Sequence, residues 1–154
     1  MKKVVVYLFF FFFLISFLFF AQIPPTNKNT DVFKDFEKTK SMAKEENKRI
    51  LILVGGDWCD WCTKLDNFIN NDKELLEIIK KNYIVLKVYS NSDLTPNGLF
   101  LAKFPSPSEF PFIYVLNSDE KLLESKKSSL FEKGESYDRL KIKEFLLYWS
   151  EKNN

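Results

Sequence analysis

The chain reads as an α/β domain with a central mixed β-sheet flanked by helices, and three observations predict this. Residues 50–54, Ile-Leu-Ile-Leu-Val, form the continuous β-branched and leucine run of a strand covered on both faces. A second strand-like run, Tyr83–Tyr89, comes only after a helical stretch, so the two strands need a crossover and pair in parallel. A third run, Phe112–Leu116, passes through the turn Asn117-Ser118-Asp119-Glu120 into Lys121–Ser125, which adds an antiparallel hairpin partner.

The elements follow in order. Lys2 and Lys3 precede an apolar run from Val4 to Phe20, broken only by Ser16, and then Ala21-Gln22-Ile23-Pro24-Pro25. This is the layout of a secretory signal, so residues 1–21 are expected to be a signal peptide cut after Ala21. Phe19 is bulky for that cut, and about 18 apolar residues suffice to cross a bilayer, so an uncleaved anchor is the alternative. No cysteine lies near the cut, which excludes a lipoprotein anchor. Residues 22–30 form a polar, proline-containing tether, and residues 31–154 the domain. Thr30 or Asp31 caps a helix running to about Asn47, with Val32, Phe36 and Ala43 on its inner face. Gly55-Gly56-Asp57 ends the first strand. A helix starting in the cysteine segment carries Leu65, Phe68 and Ile69 at core spacing, and Asn70-Asn71-Asp72 breaks and recaps it before Leu75, Leu76, Ile78 and Ile79. After the second strand, residues 90–98 form a loop, Leu99–Phe104 a short helix, and Pro105–Pro111 an irregular stretch. Residues 126–137 are expected as a loop, and Asp138–Glu151 as a last helix with Ile142, Phe145, Leu146 and Trp149 facing the core.

Removing residues 1–21 from 154 leaves a length suited to one compact domain. Without Lys2 and Lys3 the 23 basic residues fall level with the 21 acidic ones, so charge makes no case for nucleic acid or a membrane surface as partner.

The only cysteines lie in Trp58-Cys59-Asp60-Trp61-Cys62, directly after the buried-looking first strand. Two thiols three positions apart at a helix start can close a small disulfide ring, and the first can sit where unpaired backbone N–H groups stabilise a thiolate. A redox dithiol is the leading reading. A passive bridge is a weaker one, because closing so short a loop removes little unfolded-state entropy. A metal site is weaker still: the chain has no histidine, and two cysteines do not fill a tetrahedral zinc shell, which leaves a Cu(I) carrier as the metal alternative. The carboxylates of Asp57 and Asp60 repel charge on Cys59 and oppose the helix start, which favours a reducing couple.

A buried strand ending in W-C-x-x-C at a helix start, followed by a proline directly before a hairpin strand, resembles the thioredoxin superfamily over most of residues 31–151. The stretch Gly56-Asp57-Trp58-Cys59-Asp60-Trp61-Cys62-Thr63-Lys64-Leu65-Asp66 is similar to that of exported bacterial thioredoxin-like proteins. Phe110–Asn117, Ser136-Tyr137-Asp138 and Phe145-Leu146 with Trp149 are similar to the same group. The resemblance implies a thioredoxin-like fold, Cys59 as nucleophile and Cys62 as buried resolving thiol. It implies that Pro111 is the family's cis-proline, with the Phe110 backbone pairing with substrate. Trp58, Trp61, Phe110 and Pro111 are expected to bind substrate, Trp58 packing beneath the site and Trp61 with one face to solvent, where it docks an extended polypeptide; core packing is the alternative for Trp61. Lys87 falls where thioredoxins keep a lysine near the active site; a strand-end surface lysine is the alternative. Two departures stand out. Leu53 occupies the position of the family's buried carboxylate, so that Asp57, Asp66, Lys64 or water would have to serve Cys62, and Asp60-Trp61 replaces Gly-Pro between the cysteines.

The function expected is that of an exported thiol–disulfide oxidoreductase, periplasmic or secreted, reducing protein or peptide disulfides. It needs no cofactor beyond the Cys59–Cys62 pair and draws on a separate redox partner; a membrane is involved only if the N-terminal segment is retained. The rival class is a redox-inactive binding or chaperone module of the same fold, using only the surface around Trp61 and Phe110.

Overall fold

The computed structural model describes residues 23–24, 26–91 and 95–150. The signal or anchor expected at residues 1–21 lies outside them. Among the described residues, no helix is long and apolar enough to cross a membrane.

Helix α1, Val32–Glu45, is capped by Asp31, whose carboxylate accepts the Phe33 and Lys34 N–H groups. Strand β1, Arg49–Gly55, is followed by α2, Asp60–Asn70, and α3, Lys73–Asn82. Asn71 ends the first of these, and Asp72 caps the second through the Glu74 and Leu75 N–H groups. Strand β2, Tyr83–Tyr89, pairs with β1 in parallel, as the intervening helices require. The short helix α4 runs Pro96–Leu101, slightly upstream of the stretch expected, because Thr95 caps it and Pro96 sits at its first position. Strand β3, Phe112–Leu116, pairs antiparallel with β1 and with β4, Leu122–Lys127. Helix α5, Arg139–Ser150, closes the domain.

The sheet order is β2-β1-β3-β4, so β1 is central and buried along nearly its whole length. Side chains alternate across it. Leu51 and Leu53 face α2, α3 and α5, where they meet Leu65, Ile69, Leu75, Ile79, Phe145 and Leu146. Ile50, Ile52 and Val54 face α1 and α4, against Val32, Phe36 and Phe100.

Two expectations are corrected. Residues 126–137 are not a loop: they complete β4, form a 3₁₀ turn at Ser128–Phe131, and then a hairpin of β5, Glu132–Lys133, and β6, Ser136–Tyr137. Gly134, with φ of 62°, supplies the left-handed residue of that hairpin turn. Strands of two residues carry too little periodicity to be read from sequence. Ile23, assigned to a polar tether, is buried in the α2-side core, and its N–H donates to Asn70 Oδ1 at 3.0 Å.

Candidate active site

The site forms where the C-terminal end of β1 meets the start of α2. Cys59 is the N-cap of α2, and Cys62 lies one turn inside it. The two are joined in a disulfide with Cα atoms 5.2 Å apart. The Cys62 N–H donates to Cys59 Sγ at 3.2 Å and to the Cys59 carbonyl at 3.0 Å. Cys59 is 7% exposed and Cys62 9%, so exposure does not rank the two sulfurs. Position does: Cys59 Sγ caps the start of α2 and accepts the Cys62 N–H, while Cys62 Sγ packs onto the end of the central strand.

That packing depends on Gly55. A Cβ at position 55 would lie 2.4 Å from Cys62 Sγ, so only glycine admits the sulfur. At Gly56 a Cβ would lie 2.3 Å from Trp58 Nε1. Both glycines read in the sequence as strand terminators; their contact role becomes visible only once the sulfur and indole are placed.

Trp58 does not lie beneath the site. It is 53% exposed, its Nε1–H donates to the Ser90 carbonyl at 3.1 Å, and its ring meets Phe110 edge-on at 5.2 Å. It precedes the helix cap and therefore follows the surface of the loop after β2. Trp61 is the half-buried one, since it shares the inner stripe of α2 with Leu65 and Phe68. Its ring packs edge-on against Tyr137 at 5.4 Å and carries the Lys64 ammonium 4.3 Å above it.

The Phe110–Pro111 bond is cis. Val54 pairs with Phe112, so Pro111 comes alongside Gly55, the residue that touches Cys62 Sγ. Tyr114 holds the preceding loop by donating its hydroxyl to the Pro105 carbonyl. A groove of about 520 Å³ opens beside Phe110, lined by Ser90, Gly98, Leu101, Ser106 and Pro107.

The Asp57 carboxylate accepts the Tyr89 hydroxyl at 2.7 Å, and this bond holds its carboxyl below the usual carboxylate range while raising the Tyr89 phenol. Asp60 is exposed at the first helical position. Lys87 is no surface lysine. Its side chain is 4% exposed and pairs with Asp66 of α2, itself 28% exposed. Lys87 is in register with Leu53, so this ion pair lies on the α2 side of the sheet, at the level of the position where the family's carboxylate is missing. Among the carboxylates near the site, Asp66 is the one a helical turn after Cys62.

Tyr137 escaped the sequence reading as a site residue. Its hydroxyl donates to the Trp61 carbonyl at 3.1 Å, and burial pushes its phenol up to about 12. The only signal was its place in a segment similar to the family's C-terminal part. Among the described residues, no group of three or more His, Cys, Asp or Glu side chains is placed to hold a metal ion.

A family model described as thioredoxin-like matches residues 31–118. The chain is 26% identical over 61 residues to an uncharacterized protein of Archaeoglobus fulgidus, a match covering 40% of this chain and about half, 48%, of that protein. The fold is similar to that of the disulphide isomerase from Xylella fastidiosa Temecula1, with a TM-score of 0.66 and 24% identity over 85% of this chain and 100% of that one. It is also similar to a DsbH oxidoreductase, with a TM-score of 0.56 and 18% identity over 84% and 92% of the two chains.

Proposed function

We propose, from the premise that the chain belongs to the thioredoxin-like family, that it is an exported thiol–disulfide oxidoreductase working as a reductase of protein disulfides. The observation that carries the reading is Cys59 at the N-cap of α2, with its sulfur accepting the Cys62 N–H. An N–H aimed at that sulfur stabilises a thiolate, the nucleophile that disulfide exchange needs.

The reaction balances in two exchanges. The Cys59 thiolate attacks one sulfur of a substrate disulfide, forming a Cys59–substrate bond and releasing the other substrate sulfur as a thiolate that takes a proton. Cys62 then loses its proton and attacks Cys59 Sγ, closing the Cys59–Cys62 disulfide and releasing the second substrate thiol. The substrate gains two electrons and the protein loses two, which a separate dithiol partner restores. Asp66, paired with Lys87 and four residues after Cys62 on α2, is the carboxylate we assign to take the Cys62 proton.

Substrate is received as an extended polypeptide on the Trp58 and Phe110 rings, beside Pro111. Of the two tryptophans expected to bind substrate, Trp58 takes the docking role, because its ring is the exposed one. The carboxylates of Asp57 and Asp60, on either side of Cys59 in the chain, disfavour its thiolate and support the reducing direction. Export rests on the n-region, apolar run and small residue at Lys2–Ala21.

The test is trapping. Reduced protein should reduce insulin disulfides, and Cys62→Ser should accumulate mixed disulfides on non-reducing gels while Cys59→Ser does not. Equal trapping by both variants rejects the order of the thiols, and no insulin reduction by the parent rejects the reductase reading.

A further inference from the structure

One peptide group links the β5–β6 hairpin to the sulfur that attacks. The Tyr137 hydroxyl donates to the Trp61 carbonyl at 3.1 Å, and the amide on the other side of that peptide, Cys62 N–H, donates to Cys59 Sγ at 3.2 Å. We propose that Tyr137 is a positioning residue for the nucleophile, strengthening and orienting the Cys62 N–H toward Cys59 Sγ through the Trp61–Cys62 peptide. The inference rests on the reading of Cys59 as the attacking sulfur.

The physical basis is the polarisation of hydrogen-bonded amides. A donor on a carbonyl draws charge toward its oxygen and makes the N–H of the same peptide a stronger donor, an effect of about 10–30% per bond. The N–H in question is shared between the Cys59 carbonyl, at 3.0 Å, and Cys59 Sγ, the atom where charge collects on reduction. The bond also fixes the plane of the peptide, because Tyr137 is itself held: its ring packs on Trp61 and on Phe68, at 5.4 and 6.0 Å, with the buried Ser128 hydroxyl beside its oxygen. Ser128 in turn donates its N–H to the Pro111 carbonyl at 3.3 Å, so the hairpin, the proline loop and the dithiol form one connected set. With its phenol raised by burial, Tyr137 stays a donor throughout the range in which thiols titrate.

Packing alone does not require the hydroxyl. A phenylalanine would fill the same space against Trp61 and Phe68, whereas a buried hydroxyl must find a partner to offset its dehydration. Other charges bear on the two ends of the link. The charges of Glu109, Glu132 and Asp66 reach Tyr137, with Lys87 paired to Asp66. On the cysteine side lie Asp57, tied to Tyr89, Asp60, and Lys64 above Trp61. None of them replaces a donor on the Trp61 carbonyl.

The experiment compares the parent with Tyr137→Phe in the full domain, reading the Cys59 pKa by pH-dependent alkylation and the Cys62 amide proton by NMR in the reduced protein. Losing a fifth to a quarter of a charge-assisted bond lowers the thiolate population roughly twofold to threefold. The Cys59 pKa should therefore rise by about 0.3–0.5, and the Cys62 amide proton should move upfield. A folded Tyr137→Phe variant with both readouts unchanged overturns the proposal, even if its melting temperature falls. Should that variant not fold, fluorotyrosine at position 137 keeps ring and bond but is a stronger donor, so the pKa must fall; no shift overturns the proposal equally. Insulin reduction by the parent separates the two levels. Without it the reductase reading fails while the pKa comparison still decides the link; with it, and with an unshifted pKa, the link alone fails.

Discussion

Replacing Asp66 by Asn should cost far more stability than its half-exposed position suggests, because of what it leaves behind. The Lys87 side chain is 4% exposed and its ammonium faces Asp66, which is 28% exposed. Removing the carboxylate leaves a cation on the inner face of β2 with an amide in place of its counter-charge. Breaking a fully buried pair from one side costs about 3–5 kcal/mol. The water that reaches Asp66 lowers this to about 2–3 kcal/mol, or roughly 6–9 °C in melting temperature for a domain of this size. Glu77→Gln provides the control, since Glu77 is 75% exposed and 3.9 Å from Lys80, and its loss should stay within about 0.5 kcal/mol. The double replacement Asp66→Leu with Lys87→Met removes both charges and should recover most of the loss, because apolar side chains of similar volume substitute well for a buried pair. Urea unfolding of the oxidised proteins reads all four. An Asp66→Asn loss no larger than the Glu77→Gln control, or a double variant no more stable than the single one, would refute the account of Lys87 as a buried, compensated cation.

Three further outcomes are expected. Gly55→Ala should destabilise the oxidised domain by about 1–3 kcal/mol through overpacking, because the new Cβ would lie 2.4 Å from Cys62 Sγ; an unchanged unfolding midpoint would show that the sulfur has room. Asp60→Asn keeps the shape of the first helical residue but removes an anion near Cys59, so the Cys59 pKa should fall by about half a unit, opposite in sign to the effect of Tyr137→Phe; alkylation against pH checks it, and an unchanged or higher pKa would leave Asp60 only a helix-start role. Arg139 bonds both Asp72 and Glu74 and so ties α5 to the start of α3. Burial acts to raise the Asp72 carboxyl, but the Arg139 guanidinium and the capped N–H groups outweigh it and hold it below its ordinary 3.8, while Lys143 and Arg139 hold Glu74 below 4.5. Carboxyls depressed by folding stabilise fully above those ordinary values and lose that contribution as pH falls through their folded values. The stability difference between the parent and Arg139→Ala should therefore be constant near neutrality and shrink below about pH 4; a pH-independent difference in urea midpoints would reject the ionic basis of the link.

The local elements were legible in the sequence wherever a short-range rule governs them. The run Ile50–Val54 is typical of a strand covered on both faces, Tyr83–Tyr89 and Phe112–Leu116 lie in the structure where their apolar patterns put them, and the Asn70-Asn71-Asp72 stretch ends one helix and caps the next. The cysteine spacing dictated a closable ring at a helix start. Other features depend on contacts between residues far apart in the chain. Which tryptophan is exposed follows from the Ser90 carbonyl that takes the Trp58 N–H and from the hairpin that covers Trp61. Lys87 is drawn inward by Asp66, a partner 21 positions away on another element. The Tyr137 contact spans 76 residues and rests on two-residue strands with no pattern of their own. Secondary structure here answers to neighbours three or four positions away, which the sequence states directly; the surroundings of the sulfurs answer to side chains that only the packed sheet and helices bring together.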